Sequence, residues 1–486
     1  MDPKKNTLSR TIAYYAVSRG YRRILGFLLA FLRPKLLGPE NFGLWTLLRL
    51  IPSYAAYSQL GTHEALRYLV PYHRGRNEQH QVQAIEETVF TFSFLASLLV
   101  STSIIAIALV FDFETKVRLG LMAMAVVTFL IWFYEYFLFV LKGHEAFSLV
   151  TRTNYFEITV IFLITVPSLY YFGIYGLFFS VPLSYLLTLL YMRFHFTFQL
   201  RFGFNYPLFL KLLKKGFPIM AMAFLIGLVS TSDRFLVSIL LGVEQTGYYG
   251  MAALAIGFLM DAPGAAREVM EPRLMKSKDH LSASETAFIY IFNPMRSTAY
   301  LMPFLIGPVF LLTPCLIEFI LPKFQASVMV TQILCIGAFF FSLTNPLLAV
   351  IYSHDWQVKV IPFAISAIII NIIVSIYLVY LGFGILGVAI SSVLSFAVLL
   401  LSLYMFLHSK LQLTASIPQS FYWCLSAPLL LMLGLLYCLE SIITNTGWLG
   451  ITERIAATTC YSLIMSGLLL IDRSSRKKSK MKVQPE

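Results

Sequence analysis

Charge is scarce in this chain. Asp, Glu, Lys and Arg make up 13% of its 486 residues, against about 25% in soluble domains, and mean hydropathy is +0.75. That balance excludes an ordinary soluble globular protein. Cysteine is also rare. Cys315, Cys335, Cys424, Cys438 and Cys460 all lie in or beside apolar segments without C-x-x-C spacing, so neither a disulfide framework nor a zinc site is expected. The phosphate-cradling G-x-x-x-x-G-K-[ST] and the zinc-binding H-E-x-x-H are missing, which argues against an ATP-driven pump. No catalytic residue, cofactor or metal is expected. No small-residue cleavage site follows the first apolar stretch, so that stretch is expected to persist in the mature protein. Nor does a basic motif with interleaved aromatics lie outside the apolar segments, so nucleic acid is not an expected partner despite a net charge of +13.

What the chain does have is apolar windows long enough to cross a bilayer. About 14 can be read, near 11–32, 42–62, 87–110, 119–140, 153–172, 174–194, 216–240, 245–263, 288–312, 328–351, 357–380, 384–407, 420–440 and 453–471. The expected fold class is an all-α polytopic membrane protein. With the N-terminus inside, 25 of the 37 Lys and Arg fall in inner segments and six in outer ones. This asymmetry places both termini in the cytoplasm. The segment after Leu470 reads as a short, disordered basic tail anchored to anionic membrane lipid.

The chain also repeats itself. Leu36-Leu37-Gly38-Pro39-Glu40-Asn41-Phe42-Gly43 and Leu240-Leu241-Gly242-Val243-Glu244-Gln245-Thr246-Gly247 share L-L-G-x-E-x-x-G, 204 residues apart. Gly143-His144-Glu145 and Ser353-His354-Asp355 are 210 apart. Phe172-Gly173-Ile174 and Phe383-Gly384-Ile385 are 211 apart. Three ordered matches at a nearly constant offset imply two six-helix halves. The offset covers an even number of spans, so the repeats are parallel. The expected organisation is an N-terminal half at 1–195, a cytoplasmic linker at 196–215 and a C-terminal half at 216–407. Two extra helices at 408–471 and the tail at 472–486 follow. Each L-L-G turn reads as a helix end with an acid at the next helix start.

Six arginines interrupt the apolar windows: Arg19, Arg22, Arg23, Arg49, Arg234 and Arg296. Charge inside a bilayer is costly and usually lines a watery path, so these residues suggest an anionic cargo. Arg19, Arg22 and Arg23 share a helix face by their spacing. Arg49, Ala56 and His63, seven apart, line up on the second span. The membrane acids Glu135, Glu157 and Asp233 are candidates for ion pairing or for carrying a coupling ion, a proton or sodium. They are too few to neutralise the arginines. Snorkelling to headgroups and structural ion pairing remain open for the arginines. His144 and His354 read as turn residues, and Pro52, Pro167, Pro182, Pro218, Pro303 and Pro308 as sites that can kink helices.

The run Leu36 to Trp45 resembles the first outer turn of bacterial oligosaccharide flippases. Asp233-Arg234-Phe235-Leu236 with Leu241-Gly242-Val243-Glu244-Gln245-Thr246-Gly247-Tyr248-Tyr249 resembles their seventh-span signature. These flippases form the polysaccharide-transporter branch of the multidrug/oligosaccharidyl-lipid/polysaccharide exporter superfamily. The resemblance implies a transporter, not an enzyme. It would carry undecaprenyl-diphosphate-linked oligosaccharide from inner to outer leaflet of the bacterial inner membrane, by alternating access, for O-antigen, capsule or exopolysaccharide biosynthesis. Glycan polymerase machinery is then an expected partner. A diphosphate suits the arginines, because a guanidinium grips phosphate oxygens in a fork. The alternatives are an ion-coupled multidrug exporter of the same superfamily and a membrane glycan polymerase. An arginine-lined cavity would repel the cationic cargo common to the former, and the latter usually needs a large outer loop, absent here.

Overall fold

In a computed structural model, residues 3–144, 146–196, 201–277, 281–412, 419–443 and 447–481 are described. They are helical almost throughout, with no strand among them. In chain order the helices are α1 (Pro3–Ala55), a 3-10 turn (Ala56–Gln59), α2 (Thr62–Gly75), α3 (Gln79–Val110), α4 (Thr115–Gly143), α5 (Phe147–Phe172), α6 (Ile174–His195), α7 (Tyr206–Val229), α8 (Ser232–Leu241) and α9 (Val243–Ser277). Then follow α10 (Ala283–Thr286), a π turn (Ala287–Phe292), α11 (Asn293–Ile320), a 3-10 turn (Pro322–Phe324), α12 (Ser327–Ser353), α13 (Gln357–Tyr380), α14 (Gly384–Lys410), α15 (Gln419–Ile442) and α16 (Gly447–Met481). The apolar windows fall mostly on helix, and 11 helices among the described residues are long and apolar enough to cross a membrane by themselves. The protein is a polytopic helical membrane protein.

The chain divides into two compact units, Met1–Phe224 and Leu225–Glu486. In the first, α3 and α4 carry the core, with Ile85, Val89 and Phe90 against Tyr136, Phe137 and Val140. Hydroxyls buried between helices bond back to their own helix. Thr88 donates to Ala84 O at 2.7 Å and Thr188 to Ser184 O at 2.7 Å, which lets small polar residues pack without an unmet donor. The segment entering α7 is tied to α3. The amide of Gly203 donates to Thr91 Oγ1 at 3.1 Å, and Phe202 packs its ring on Phe90 and Phe94.

In the second unit α12 is the most enclosed helix. Leu334, Cys335, Leu347 and Ile351 have no exposed surface, and α9, α11 and α14 pack around it. The extra helix α16 lies along α11. Arg454, Tyr461 and Asp472 recur at intervals that return to one face at 100° per residue. Arg454 grips Glu440 with both guanidinium nitrogens (3.0 and 2.9 Å) and reaches Leu311 O. Tyr461 donates to Pro303 O at 2.8 Å, and its ring fills the space that any side chain at Gly307 would need. Asp472 takes Arg296 at 2.5 Å.

The duplicated turns have matching backbones. Gly38 (φ 73°, ψ 173°) and Gly242 (φ 94°, ψ 175°) adopt the same positive-φ, extended-ψ conformation, open to glycine and strained for other residues. Gly173 and Gly384 share positive φ, 56° and 53°. His144 and His354 each end a helix, with the backbone amide returning to the carbonyl four residues back, Val140 and Val350. Glu145 lies outside the described residues.

Three expectations are revised. The second span does not carry Arg49, Ala56 and His63 on one continuous face. It breaks after Ala55, and Leu60 and Gly61 turn left-handed (φ 56° and 79°) before α2 begins. The cause is close packing, since the Gly61 and Gly216 backbones abut with no room for a Cβ on either. The seventh span is two helices: α7 ends at Val229, Ser230 and Thr231 form a turn with their hydroxyls on Gly227 O (2.9 and 2.7 Å), and α8 begins at Ser232. The tail after Leu470 continues α16 as helix to Met481.

Candidate functional site

In the first unit, charged side chains gather around Tyr185 of α6. Arg22 of α1 donates from Nη2 to Glu157 Oε1 of α5 at 3.2 Å. The other carboxylate oxygen, Oε2, accepts from Tyr134 OH of α4 at 2.7 Å. Glu157 is buried at 1% exposure, whereas the Arg22 side chain keeps 46% of its surface open. The Arg22 guanidinium is therefore anchored on Glu157 and near Tyr134 while about half of its side-chain surface stays accessible. The Tyr134 and Tyr185 rings meet edge-on at 5.8 Å. Nearby, Tyr21 bonds Thr159 at 3.1 Å, which fixes α1 against α5 next to the pair.

Tyr185 is within electrostatic reach of Glu157, Arg22, Glu135 and Arg49. Arg33 is within reach of Arg49 and Tyr185. Its guanidinium carbon sits 5.8 Å from the Trp45 ring centre, and its Nε is buried without a hydrogen-bond partner among the described residues. Arg49 is exposed on the helix beyond the Gly38 kink. The kink folds α1 back, so that one merged helix supplies Arg22, Arg33 and Arg49 to one site. Arg22 is met by Glu157, while Arg33 and Arg49 lie within electrostatic reach of each other. Two guanidiniums held close repel each other in a membrane setting unless an anion lies between them.

Of the other expected residues, Arg23 is exposed next to Arg22, and Arg19 lies on α1 with its side chain outside the described residues. Glu135 is half-buried, facing Tyr57, Tyr185, Glu64 and Lys142. Arg296, in the second unit, is tied to Asp472 across α11 and α16. Arg33, Tyr134 and Tyr185 are members that the sequence reading missed. Arg33 had a signal, standing 11 residues after Arg22 and hence on the same stripe of an unbroken helix. The Arg33-Pro34 pair hid it by suggesting the end of a span. The tyrosines had none, being two of 27 distinguished only by tertiary position.

A different polar centre lies in the second unit. Asp233, in the first turn of α8, is 3% exposed. Its Oδ1 accepts the Arg234 amide at 2.8 Å. Its Oδ2 accepts Tyr249 OH at 2.7 Å and Ser392 Oγ at 3.4 Å. Asn371 donates to Ser392 Oγ at 3.2 Å, Ser375 donates to Asn371 Oδ1 at 3.5 Å, and Ser375 and Ser391 are bonded. Arg234 lies within electrostatic reach of the carboxylate, with its Nε buried and unpartnered among the described residues. The acid is thus met by the nearby Arg234 charge without a direct ion pair, and its hydrogen bonds come from the Arg234 amide and from hydroxyls of α9 and α14.

Solved structures share the fold. An inward-facing multidrug resistance transporter of the MATE family and MOP superfamily superposes with a TM-score of 0.70 at 13% identity, covering 81% of this chain and 96% of that one. The lipid II flippase MurJ, in an inward closed conformation, superposes at 0.65 and 13% identity, covering 94% and 99%. A MOP-superfamily transporter from Pyrococcus furiosus, described as having a binding pocket of reverse polarity, gives 0.55 at 12% identity, covering 86% and 98%. No curated protein matches in sequence. The profile of the polysaccharide biosynthesis proteins matches residues 8–257, a stretch that contains the whole Tyr185 cluster together with Asp233 and Tyr249. With that match over half its length and the fold of MOP transporters, the chain belongs to the polysaccharide biosynthesis protein family.

Proposed function

We propose that this protein is a flippase for undecaprenyl-diphosphate-linked oligosaccharide, moving it from the inner to the outer leaflet by alternating access, in O-antigen, capsule or exopolysaccharide biosynthesis. The observation that carries the reading is the Arg22–Arg33–Arg49 site around Tyr185. A diphosphate supplies the missing negative charge, and its oxygens suit guanidinium forks. Glu157 and Tyr134 hold Arg22 in place while its accessible surface takes the headgroup. Arg23, next to Arg22 on α1, is a further candidate contact, as is Arg19 by its place in the sequence. Arg234 and Arg296 are further candidate contacts, Arg296 less so while Asp472 holds it. The uncharged sugars need no such cluster, so charge recognition would serve any glycan built on the same lipid diphosphate.

Asp233 is the candidate carrier of the coupling ion. A buried carboxylate ringed by hydroxyls and an amide can accept a proton, or a sodium ion with oxygen ligands, without dismantling an ion pair. Glu135 is the candidate in the first unit. The multidrug-exporter reading fits less well, because a cationic drug would be repelled from the Tyr185 site.

The test is flipping of fluorescent undecaprenyl-diphosphate oligosaccharide in proteoliposomes, wild type against Arg33→Ala/Arg49→Ala. Protein-dependent flipping, lost in the folded double variant, supports the reading. Flipping unchanged by the variant removes these arginines from the mechanism. Transport of cationic dyes with no flipping of any lipid-linked glycan overturns the flippase.

A further inference from the structure

The second unit contains a cleft of about 800 Å³ to which none of the foregoing assigns a role. It lies where the ends of α8, α9, α12 and α14 meet, at the side that the Lys and Arg distribution assigns to the exterior. Both duplicated turn motifs contribute to it: Leu241 precedes the Gly242 turn, and Phe383 and Gly384 form the other. Its volume is in the usual range of ligand sites, about 300–1,000 Å³.

The lining is unusual for a membrane helix end. It contains no charged residue, but three side-chain amides project from three places: Gln245 on α9, Gln325 before α12 and Gln332 within α12. Gln332 makes one long bond to Phe310 O at 3.5 Å. The Gln245 and Gln325 side chains make no hydrogen bond among the described residues. The remaining wall is apolar, with Leu241, Met329 and the half-exposed ring of Phe383.

Three ligand chemistries can be weighed against that wall. A diphosphate finds no cation in it. A prenyl or acyl chain would cover the amides and strip them of water without replacing their hydrogen bonds, an unfavourable exchange. A neutral sugar meets both requirements. Its hydroxyls pair with amide groups that both donate and accept, and its C–H faces pack on an aromatic ring and aliphatic side chains. We infer that this cleft is a saccharide subsite, binding neutral sugar residues of the glycan at the exterior side of the second unit. The inference rests on the flippase reading for its biological ligand. It separates recognition in two: charge for the invariant diphosphate in the first unit, and hydroxyl patterns for the variable sugars here.

The test uses the full chain in nanodiscs with water-soluble neutral tri- to pentasaccharides of hexose and N-acetylhexosamine, which carry neither lipid nor phosphate. Saturation-transfer NMR is expected to show contact with sugar ring protons, and each of Gln245→Leu and Gln325→Leu is expected to weaken binding about tenfold. Both replacements are at exposed or half-exposed positions, so folding is checked by the unchanged melting curve. No transfer to any saccharide, transfer unaffected in both variants, or displacement of the sugars by farnesol would each overturn the assignment. Flipping is measured separately: flipping without saccharide contact removes the subsite and keeps the flippase, and saccharide contact without flipping does the reverse.

Discussion

The Arg22–Glu157 pair should respond asymmetrically to loss of either partner. Glu157 is 1% exposed and the Arg22 side chain 46% exposed. Removing Arg22 leaves a buried carboxylate with only Tyr134 to support it, and breaking a buried pair in this way costs about 3–5 kcal/mol. Glu157→Gln leaves a guanidinium that can turn toward water and keeps an acceptor for Tyr134. With the screening that half-exposure brings, its cost falls to about 1 kcal/mol. Arg22→Ala should therefore destabilise the protein by about 2 kcal/mol or more beyond Glu157→Gln, and in Arg22→Ala/Glu157→Gln most of the Arg22→Ala penalty should disappear. The assay is reversible SDS unfolding in mixed micelles, followed by fluorescence of Trp132, which is buried on the same helix as Tyr134. Equal losses in the two single variants, or simple additivity in the double, would falsify the claim that a buried carboxylate is what Arg22 neutralises.

Other outcomes follow from the same geometry. Arg33→Ala and Arg49→Ala should each lower binding of soluble pyrophosphate about tenfold, with the wild-type affinity falling as salt rises from about 0.05 to about 0.5 M because the exposed Arg49 charge is screened; isothermal titration checks both. Gly307→Ala should push Tyr461 off Pro303 O and loosen α16 from α11, lowering the melting temperature, and Gly307→Ala/Tyr461→Ala should recover part of that loss by removing the clash. Gly61→Ala is expected to cost more than Gly20→Ala, since the first meets the Gly216 backbone at positive φ and the second meets nothing. Asp233→Asn preserves an acceptor for Tyr249, so folding should survive, while gradient-driven flipping in proteoliposomes should lose its dependence on the imposed ion gradient.

Much of the fold was legible because lipid imposes a one-dimensional rule. Each span must be apolar for about 20 residues and must close its own hydrogen bonds, so windows and helices coincide. The duplication was legible for a related reason: positive-φ turns at Gly38, Gly242, Gly173 and Gly384 tolerate little but glycine, and so left matching letters in both halves. The breaks at 56–61 and 230–231 were not legible. One depends on the Gly61–Gly216 approach between segments remote in sequence, and the other involves hydroxyls whose bonding partners a string of letters does not reveal. At the site, Arg22, Arg49 and Glu157 stood out as charges in apolar windows. Tyr134 and Tyr185 did not, because a tyrosine in a membrane helix is unremarkable until a carboxylate or guanidinium is placed beside it.

The two halves therefore share a backbone scheme and differ in where they put charge. In the first, the buried acid Glu157 is held by a guanidinium, and Arg33 and Arg49 lie within electrostatic reach of each other. In the second, the buried acid Asp233 is held by Tyr249, Ser392 and a main-chain amide, so its charge is not met by an ion pair of its own. An acid locked to an arginine is a poor ion carrier, since taking up a cation there would first require the existing one to leave. An acid held by hydroxyls can gain and lose a cation with only a rearrangement of donors. If one copy of an ancestral repeat is to hold an anionic headgroup and the other to exchange a small cation, this is the division of side chains that electrostatics requires. It also predicts which exchange would fail. Ser392→Arg would put a second cation at the position of a hydroxyl that bonds Asp233 directly, where Arg234 acts without a direct ion pair, and should uncouple flipping from the ion gradient even though the carboxylate remains.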